Sequence, residues 1–288
     1  MKRILFPTDF SDAAANALNV AISLAHSSGA ELFVLHSLNS VQQYMNISLA
    51  SSGDITFPGI QPDAVLAAIE QHKEQAKKKM EDLVSDLDND ELSVKTYIVD
   101  SELDTEINEF TEKHKIDFVV MGTHGSSGLR EAFIGSNAQK VVRKAKVPVL
   151  TVNSKCTNFD IQSVVLCSDF TEESINEQFL KINNFADIFG ADLTLLYVNT
   201  PTYFEETSTV TQRMYDVKEQ YGLTATNIDI YNAFDIDEGV IAYAELNNAD
   251  VIAMVTHGYR GVKKIFSDNV TESVVNHSDI PVLTLHIN

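Results

Sequence analysis

The sequence predicts an α/β protein made of two tandem doubly wound domains, each a parallel sheet with helices on both faces. Apolar runs of strand length alternate with helical patterns along the chain, which is typical of doubly wound folds. Runs such as LFVLH and FVVMG are continuously apolar, which indicates strands covered on both faces, as in a parallel sheet. The whole pattern occurs twice, which indicates a duplication.

The duplication is visible in two pairs of matching stretches. Residues 3–37 match residues 163–199, and each contains an apolar strand ending in an acidic turn, a helix, a glycine and a second apolar strand. The stretch IDFVVMGTHGSSGLREAF, from Ile116, returns as ADVIAMVTHGYRGVKKIF, from Ala249. The chain therefore consists of two copies of one α/β pattern.

Both copies close with a strand that contains a proline, VPVLTV at 147–152 and IPVLTL at 280–285. A short polar stretch follows the first closing strand and precedes the next opening strand. We therefore expect two domains, 1–153 and 160–288, joined by a short linker.

Five strands and four helices are predicted in the first copy, and the second copy is expected to repeat them with a shorter second helix and preceding loop. Residues 38–61 are rich in Ser, Gly and Asn and follow the second strand, so they form either a lid over a ligand or a variable surface loop. The strands are placed near 3–7, 31–37, 93–99, 118–122 and 148–152, and the helices near 12–28, 62–86, 102–114 and 136–145.

Composition limits the possible partners. The chain has 41 Asp and Glu against 21 Lys and Arg, a formal net charge of −20, which repels polyphosphate backbones and anionic membrane surfaces. Neither nucleic acid nor a membrane is an expected partner, and no apolar stretch has the length of a signal peptide or a membrane span, so a cytoplasmic protein is expected. Cys156 and Cys167 are not spaced as CxxC and the His residues are scattered, so no redox or metal site is predicted.

The glycine-rich stretch between Gly122 and Ser136 is the candidate anion site. Its glycines follow a predicted strand, and Ser136 begins a predicted helix. Glycines let the backbone approach an anion closely, and the free N–H groups at a helix start attract negative charge. The stretch is not a Walker A loop, since no GKS or GKT follows, and it is not a GxGxxG after the first strand. On their own these glycines are equally typical of turns and helix caps.

Two motifs together are more specific. The pattern GxxG, nine residues and Gly-Ser, combined with PTDFS after the first strand, resembles the universal stress protein family and its ATP-binding subgroup. The resemblance covers essentially the whole chain, taken twice. It implies an adenine nucleotide alpha hydrolase-like fold with strand order 3-2-1-4-5 in each five-stranded sheet. It also implies ATP or AMP, with Mg²⁺ as an option on the phosphates, at the carboxyl ends of strands one and four, where the general rule for open α/β sheets places ligands.

The resemblance implies roles for individual residues. Asp9, after Pro7 and Thr8, would contact the adenosine part, although it could instead cap the next helix or stabilise a turn. Ser37 would line the adenine pocket, an assignment that rests only on its place after the second strand. The implied phosphate loop comprises Met121, Gly122, Thr123, His124, Gly125, Gly135, Ser136 and Asn137, of which His124 could be structural because THG recurs in the second copy.

The second copy is expected to have lost the site. A β-branched side chain near the phosphate would crowd it, and a carboxylate would repel it. The first copy, through Lys155, has 15 basic and 21 acidic residues, whereas the second has 6 and 20. Asp169 stands at the place of Asp9, so the second copy could still bind an adenosine-like ligand without phosphates. Aligning the THG repeats puts Val255 at the place of Gly122, Gly258 at Gly125, Asp268 at Gly135 and Asn269 at Ser136.

The closing strands predict how the two copies meet. In the family's strand order the closing strand is an edge strand, and an apolar edge invites pairing with another edge. Family members dimerise through this strand. We therefore expect residues 149–152 to pair with 282–285 within one chain, as an intrachain pseudo-dimer, with a further homodimer left open.

Three functions were weighed: a nucleotide-binding stress-response or signalling module, a slow ATPase or nucleotidyl-transfer enzyme of related fold, and a receiver-like phosphoacceptor using Asp100. No HIGH-like or SGGxDS-like element is present and no clear general base stands beside the glycines, so at most a weak ATPase activity is expected. A receiver would need an acidic pair after the first strand, where only Asp9 is found. The nucleotide-binding module is therefore the preferred hypothesis.

Overall fold

The structure is a computed structural model, and it is described for most of the chain. The described residues are 1–38, 62–85, 87, 92–123, 135–153, 156, 160–171, 177–257 and 268–287. No helix within these residues is long and apolar enough to cross a membrane.

The described residues of the first half form five strands, and each lies within one residue of its predicted position. The helices that alternate with them were predicted equally closely. The strands are β1 (Arg3–Pro7), β2 (Glu31–Ser37), β3 (Val94–Val99), β4 (Phe118–Gly122) and β5 (Val149–Val152), and the helices are α1 (Asp12–Ser28), α2 (Pro62–Ser85), α3 (Leu103–His114) and α4 (Ser136–Lys144).

The second half repeats the alternation of strands and helices. Its second helix has 15 residues against 24 for the corresponding helix of the first half, as predicted. The strands are β6 (Ser163–Cys167), β7 (Asp192–Asn199), β8 (Asn227–Asn232), β9 (Val251–His257) and β10 (Val282–Ile287), and the helices are α5 (Glu177–Phe189), α6 (Thr207–Tyr221), α7 (Ile236–Leu246) and α8 (Asp268–His277).

All ten strands form one sheet, in the order β3-β2-β1-β4-β5-β10-β9-β6-β7-β8. The expectation of two separate five-stranded sheets is therefore corrected. The strands of each half run parallel to one another and are joined by helices that pass over the faces of the sheet. The two halves share one sheet because β5 and β10, which would otherwise be apolar edge strands, form backbone hydrogen bonds with each other.

The junction between β5 and β10 is antiparallel and nearly symmetric. Leu150 pairs with Leu283, its counterpart in the repeat, and both are fully buried. The Thr151 hydroxyl donates to the Val282 carbonyl at 3.1 Å, and the Thr284 hydroxyl donates to the Val149 carbonyl at 3.3 Å. Because each contact recurs with the partners exchanged, the junction has the form of a two-fold interface. Of the predicted pairing of 149–152 with 282–285, the structure shows 149–151 paired with 282–284.

Apolar side chains fill both faces of the sheet. On β1, Ile4 and Phe6 enter the cluster on one face, whereas Leu5 enters the cluster on the other, as the alternation of side chains along a strand requires. Helix α1 begins where the Ser11 hydroxyl accepts the Ala14 N–H at 3.3 Å, and it ends at Gly29, which has a φ of 66°. The sheet is thus a rigid base for the loops at its carboxyl edge.

A second contact between the halves joins α4 to α8. Glu272 lies almost buried, and its carboxylate accepts hydrogen bonds from the Arg143 Nη2 at 2.7 Å and the Gln139 amide at 2.9 Å. Burial alone would raise the pKa of Glu272, but the hydrogen bonds from Arg143 and Gln139 and the charge of Arg143 outweigh it and leave the pKa below its ordinary value. The ionised carboxylate therefore stabilises the junction.

This carboxylate gives the junction a pH dependence. A lowered pKa in the folded state means that the stabilisation is present above the ordinary pKa of 4.5 and is lost as the pH falls through the lower, folded value. Glu272→Gln is expected to cost about 2 kcal/mol of unfolding free energy near neutral pH. The difference between the variant and the wild type should shrink as the pH falls below 4.5. Urea unfolding at a series of pH values measures it. Glu112→Gln, which breaks an exposed pair with Lys146, is the control; an equal effect would contradict the prediction.

Candidate functional site

The carboxyl ends of β1, β2 and β4 surround a pocket of about 230 Å³. It lies where the strand order reverses between β1 and its two neighbours, the position at which open α/β sheets bind ligands. Ten of the twelve site residues proposed from the sequence line it, and the other two, His124 and Gly125, lie outside the described residues. The pocket is lined by Pro7, Thr8, Asp9, Ala14, Leu35, Ser37, Leu103, Met121, Gly122, Thr123, Gly135, Ser136, Asn137 and Ala138.

A tight turn after β1 places Asp9 at the pocket. The Thr8 hydroxyl accepts the Phe10 N–H at 3.0 Å, and the Asp9 carboxylate accepts the Ser11 N–H at 3.0 Å. These two bonds hold Phe10 at a φ of 61°, in the left-handed region. Asp9 thus stabilises the turn, while Ser11 rather than Asp9 caps α1. The carboxylate is exposed, so it can also meet a ligand.

His36 supports the same turn from β2. Its Nδ1 lies 2.7 Å from the Thr8 carbonyl oxygen, and its ring centre is 4.5 Å from that of Phe10. Burial lowers the pKa of His36, although the hydrogen bond with the Thr8 backbone opposes the shift. The imidazole is therefore neutral near neutral pH and acts as a packing element of the turn.

One end of the pocket combines apolar walls with a hydroxyl. Leu35 and Leu103 contribute the apolar surface, and Ser37 contributes the polar group. The Ser37 hydroxyl donates to the Ser101 carbonyl, and the Ser101 hydroxyl in turn donates to Glu106 at 2.8 Å. Since a carbonyl can only accept, the proton of Ser37 is committed to it, and only acceptor lone pairs remain for a ligand.

The other end of the pocket is formed by the backbone around α4. The Gly135 N–H donates to the Thr123 carbonyl at 2.6 Å, which brings the start of α4 against the end of β4. Gly135 occupies the N-cap position without a side chain, and the first turn of α4 has no acidic residue. The first N–H groups of the helix have no partner within it, and together with the helix dipole they attract an anion.

Gly122 is required for packing as well as being a wall of the pocket. A Cβ placed on Gly122 would lie 2.9 Å from the carbonyl oxygen of Ala13, closer than real Cβ atoms approach an oxygen. Only glycine therefore lets the first turn of α1 pack against the end of β4 in this arrangement.

Four lining residues were missed by the sequence reasoning: Ala14, Leu35, Leu103 and Ala138. All four are apolar or small and resemble ordinary core residues, so no motif marks them. Leu35 could have been found by the alternation along β2, because it shares a face with Ser37 two residues on.

The described part of the corresponding place in the second half is more closely packed. The turn after β6 is the same, since the Asp169 carboxylate accepts the Thr171 N–H at 3.2 Å and Phe170 has a φ of 52°. Asp169 is buried, however, whereas Asp9 is exposed. The Arg213 guanidinium covers it by donating to the Asp169 carbonyl at 3.0 Å while pairing with Glu205.

Apolar packing occupies a second described part of this place. Val198 stands at the position of Ser37 and is 1% exposed. Gly239 lets α7 approach it so closely that a Cβ there would lie 2.6 Å from the Val198 Cγ1. Val255, at the position of Gly122, is buried in the core. These contacts leave no counterpart of the hydroxyl-lined end of the first pocket among the residues described.

An open α/β sheet with a half-apolar, half-polar pocket at its switch point defines a class of small-ligand-binding α/β proteins. The sequence model described as "Universal stress protein family" matches residues 1–153 and 233–286, more than half of the chain. The chain belongs to the universal stress protein family.

Known relatives agree with this assignment. A universal stress protein of Methanocaldococcus jannaschii is 29% identical over 54% of this chain and 96% of its own length. Another from Thermus aquaticus is 32% identical over 52% of this chain and 98% of its own length. In fold, the chain is similar to a universal stress protein from Archaeoglobus fulgidus of 19% identity, with a TM-score of 0.70 over 99% of this chain and 98% of the other.

Proposed function

We propose that this protein is a tandem universal stress protein that binds one adenine nucleotide, ATP or AMP, in its first domain. The proposed domains are 1–153, which carries the site, and 160–288, in which the site is degenerate. The observation that carries the proposal is that ten of the twelve proposed contacts, from four separate segments of the first half, line one pocket. We further propose that it acts in the cytoplasm as a stress-response or signalling module.

The hydroxyl-lined end of the pocket suits adenine. Leu35 and Leu103 offer apolar surface to a flat ring, and Ser37 faces the pocket as an acceptor. The exocyclic amino group of adenine is a donor, whereas the corresponding oxygen of guanine is an acceptor and would meet lone pairs. This polarity favours adenine nucleotides over guanine nucleotides.

The start of α4 suits the phosphates. Ser136 and Asn137 present backbone N–H groups, and the Ser136 hydroxyl is a further donor. Asp9, in the turn after β1, suits the ribose hydroxyls because a carboxylate accepts from them. These residues fit an adenine nucleotide, and Mg²⁺ would accompany the phosphates rather than require a protein cage.

The second domain is proposed to replace the partner subunit of a dimer. The contacts between β5 and β10 support this proposal, because each contact recurs with the two strands exchanged. The interface of a two-fold dimer of single domains has the same symmetry. The relatives support it as well, since each matches about half of this chain over nearly its own full length.

A single helix connects the pocket to the junction between the domains. Ser136 and Asn137 line the pocket at the start of α4, while Gln139 and Arg143 of the same helix bind Glu272. Occupancy of the pocket can therefore bias the junction, which is what a signalling module requires. Among the described lining residues Asp9 is the only carboxylate, so no observation favours an enzyme over this function.

The proposal is tested by denaturing freshly purified protein and identifying released nucleotide by mass. About one adenine nucleotide per chain, or restoration of that amount by added ATP or AMP, is the expected result. A protein that releases no nucleotide and binds neither added ATP nor AMP would contradict the proposal.

The adenine preference predicts the effect of Ser37→Val, which installs the residue of the second half. The preference for ATP over GTP is expected to fall about tenfold or more, because the acceptor is removed. Calorimetric titration with both nucleotides measures it. Ser37→Thr keeps the hydroxyl and is expected to keep the preference; a preference unchanged in Ser37→Val would assign no role to this side chain.

A further inference from the structure

The second half carries large apolar side chains on its surface. Phe234 is 85% exposed and Phe204 is 70% exposed, and every large apolar side chain found exposed within the described residues belongs to this half. Phe204 lies in the loop after β7 and Phe234 in the loop after β8, at the carboxyl edge of the sheet. We call Tyr203, Phe204 and Phe234 the aromatic edge.

The two loops of the aromatic edge are fixed to each other. The Ala233 N–H donates to the Asn199 carbonyl at 3.1 Å, next to the register pair of Asn199 with Asn232. The Asn199 side chain accepts the Glu205 N–H at 3.1 Å and donates to the Glu205 carbonyl at 3.2 Å. The aromatic rings are therefore presented by backbone that is already ordered, which lowers the entropy cost of binding.

The fold itself does not account for these rings. The inner side of the loop after β7 closes the degenerate site through Glu205 and Arg213, whereas Phe204 points into solvent. A single exposed apolar residue is ordinary, but two phenylalanines that are largely exposed on adjoining loops are a feature typical of interaction sites. Aromatic residues are also the usual anchors of protein interfaces.

The charge around the aromatic edge specifies what can cover it. Glu206, Asp235 and Glu238 are exposed on the same two loops and the helix that follows. No Lys or Arg occurs in residues 182–212 or 219–259, and Arg213 is engaged by Glu205. A partner must therefore bring positive charge together with side chains that can stack on phenylalanine, a combination that arginine provides.

We propose that the aromatic edge is a docking surface for a basic segment of another protein, in which Arg or Lys alternates with apolar side chains. Its apolar and cationic groups pack on Phe204 and Phe234 while its charges face the surrounding carboxylates. A second copy of this chain is a poor occupant, because the second half has 6 basic and 20 acidic residues and would repel itself. This surface is separate from the nucleotide pocket of the first half.

A displayed library of short random peptides, selected on the full chain, tests the proposal. The enriched peptides are expected to combine Arg or Lys with aromatic or aliphatic residues, and their affinity is expected to fall as salt is raised. Synthetic peptides of the enriched sequence are then titrated against Phe204→Ser/Phe234→Ser, for which binding about tenfold weaker or more is expected. Both side chains are exposed, so this variant should fold normally, as thermal unfolding would verify.

The matched control is Leu246→Ser. Leu246 is 72% exposed but lies at the far end of α7, at the amino edge of the sheet, so its replacement should leave peptide binding unchanged. Neutral or acidic enriched peptides, the absence of enrichment, or equal binding by the double variant would overturn the proposal. Sedimentation provides a further arm: a concentration-dependent dimer that the double variant fails to form would make a second copy the occupant and would also overturn it.

Discussion

Gly135→Asp is expected to abolish nucleotide binding while leaving the fold intact. Gly135 is the N-cap of α4, and its φ of −56° and ψ of 141° are accessible to any residue. Aspartate is a preferred N-cap, so the helix should be at least as stable as before. Its carboxylate would occupy the N–H groups proposed for the phosphates and repel them, lowering affinity about a hundredfold or more. Calorimetric titration with ATP and AMP measures the loss.

Gly135→Asn separates charge from size. Asparagine has the shape of aspartate and also caps helices, but it is neutral, so the variant should retain much more affinity than Gly135→Asp. Asp268→Gly makes the reverse change in the second half and should leave the nucleotide content unchanged. Equal affinity of the Asp and Asn variants would contradict a phosphate at this helix end. Nucleotide retained by Gly135→Asp would show that the nucleotide binds elsewhere.

The strands and helices of the fold could be predicted from the sequence because parallel strands buried on both faces leave continuous apolar runs. Runs such as FVVMG and VVLC need no knowledge of their neighbours to be read as strands. The single ten-stranded sheet was not predicted, although the contact that creates it was. Leu150 and Leu283 look like residues of two separate edges, and whether two edges merge into one sheet depends on the geometry of the junction.

The residues of the candidate site that stand in short motifs could be predicted, whereas the apolar residues outside those motifs were missed. Asp9 and Gly135 stand in short motifs at strand and helix ends, where backbone groups are free to bind a ligand. Leu103 reaches the pocket from the first residue of α3, and nothing local distinguishes it from a core leucine. The Arg213 guanidinium donates to the carbonyl of Asp169, which lies 44 residues away in sequence, so this contact over the turn after β6 also left no local signal.

Gly122 has a packing role that the sequence did not reveal. A valine at its place in the second half, Val255, was expected to crowd a phosphate, and that stays a prediction; Val255 itself is buried in the core. A Cβ on Gly122 would point at the carbonyl of Ala13 in the first turn of α1. Glycine at this position therefore lets the helix after the first strand pack closely against β4 in the first half.

Gly122→Ala is accordingly expected to destabilise the protein by about 2 kcal/mol, because its new methyl group would lie 2.9 Å from a backbone oxygen that cannot turn away. The first turn of α1 must shift, and it carries Asp9 and Ser11 with it, so nucleotide affinity should fall together with stability. Urea unfolding and ATP titration of the same preparation measure both effects.

The counterpart in the second half is Val255→Gly, which removes a buried side chain and should also cost about 2 kcal/mol, through an empty space rather than a collision. Nucleotide affinity should be unchanged in that variant, because the first pocket is untouched. Wild-type stability in Gly122→Ala would show that α1 can move away without cost, and glycine at this position would then be explained by the ligand alone. Loss of stability in both variants, with loss of affinity in only the first, is the expected result.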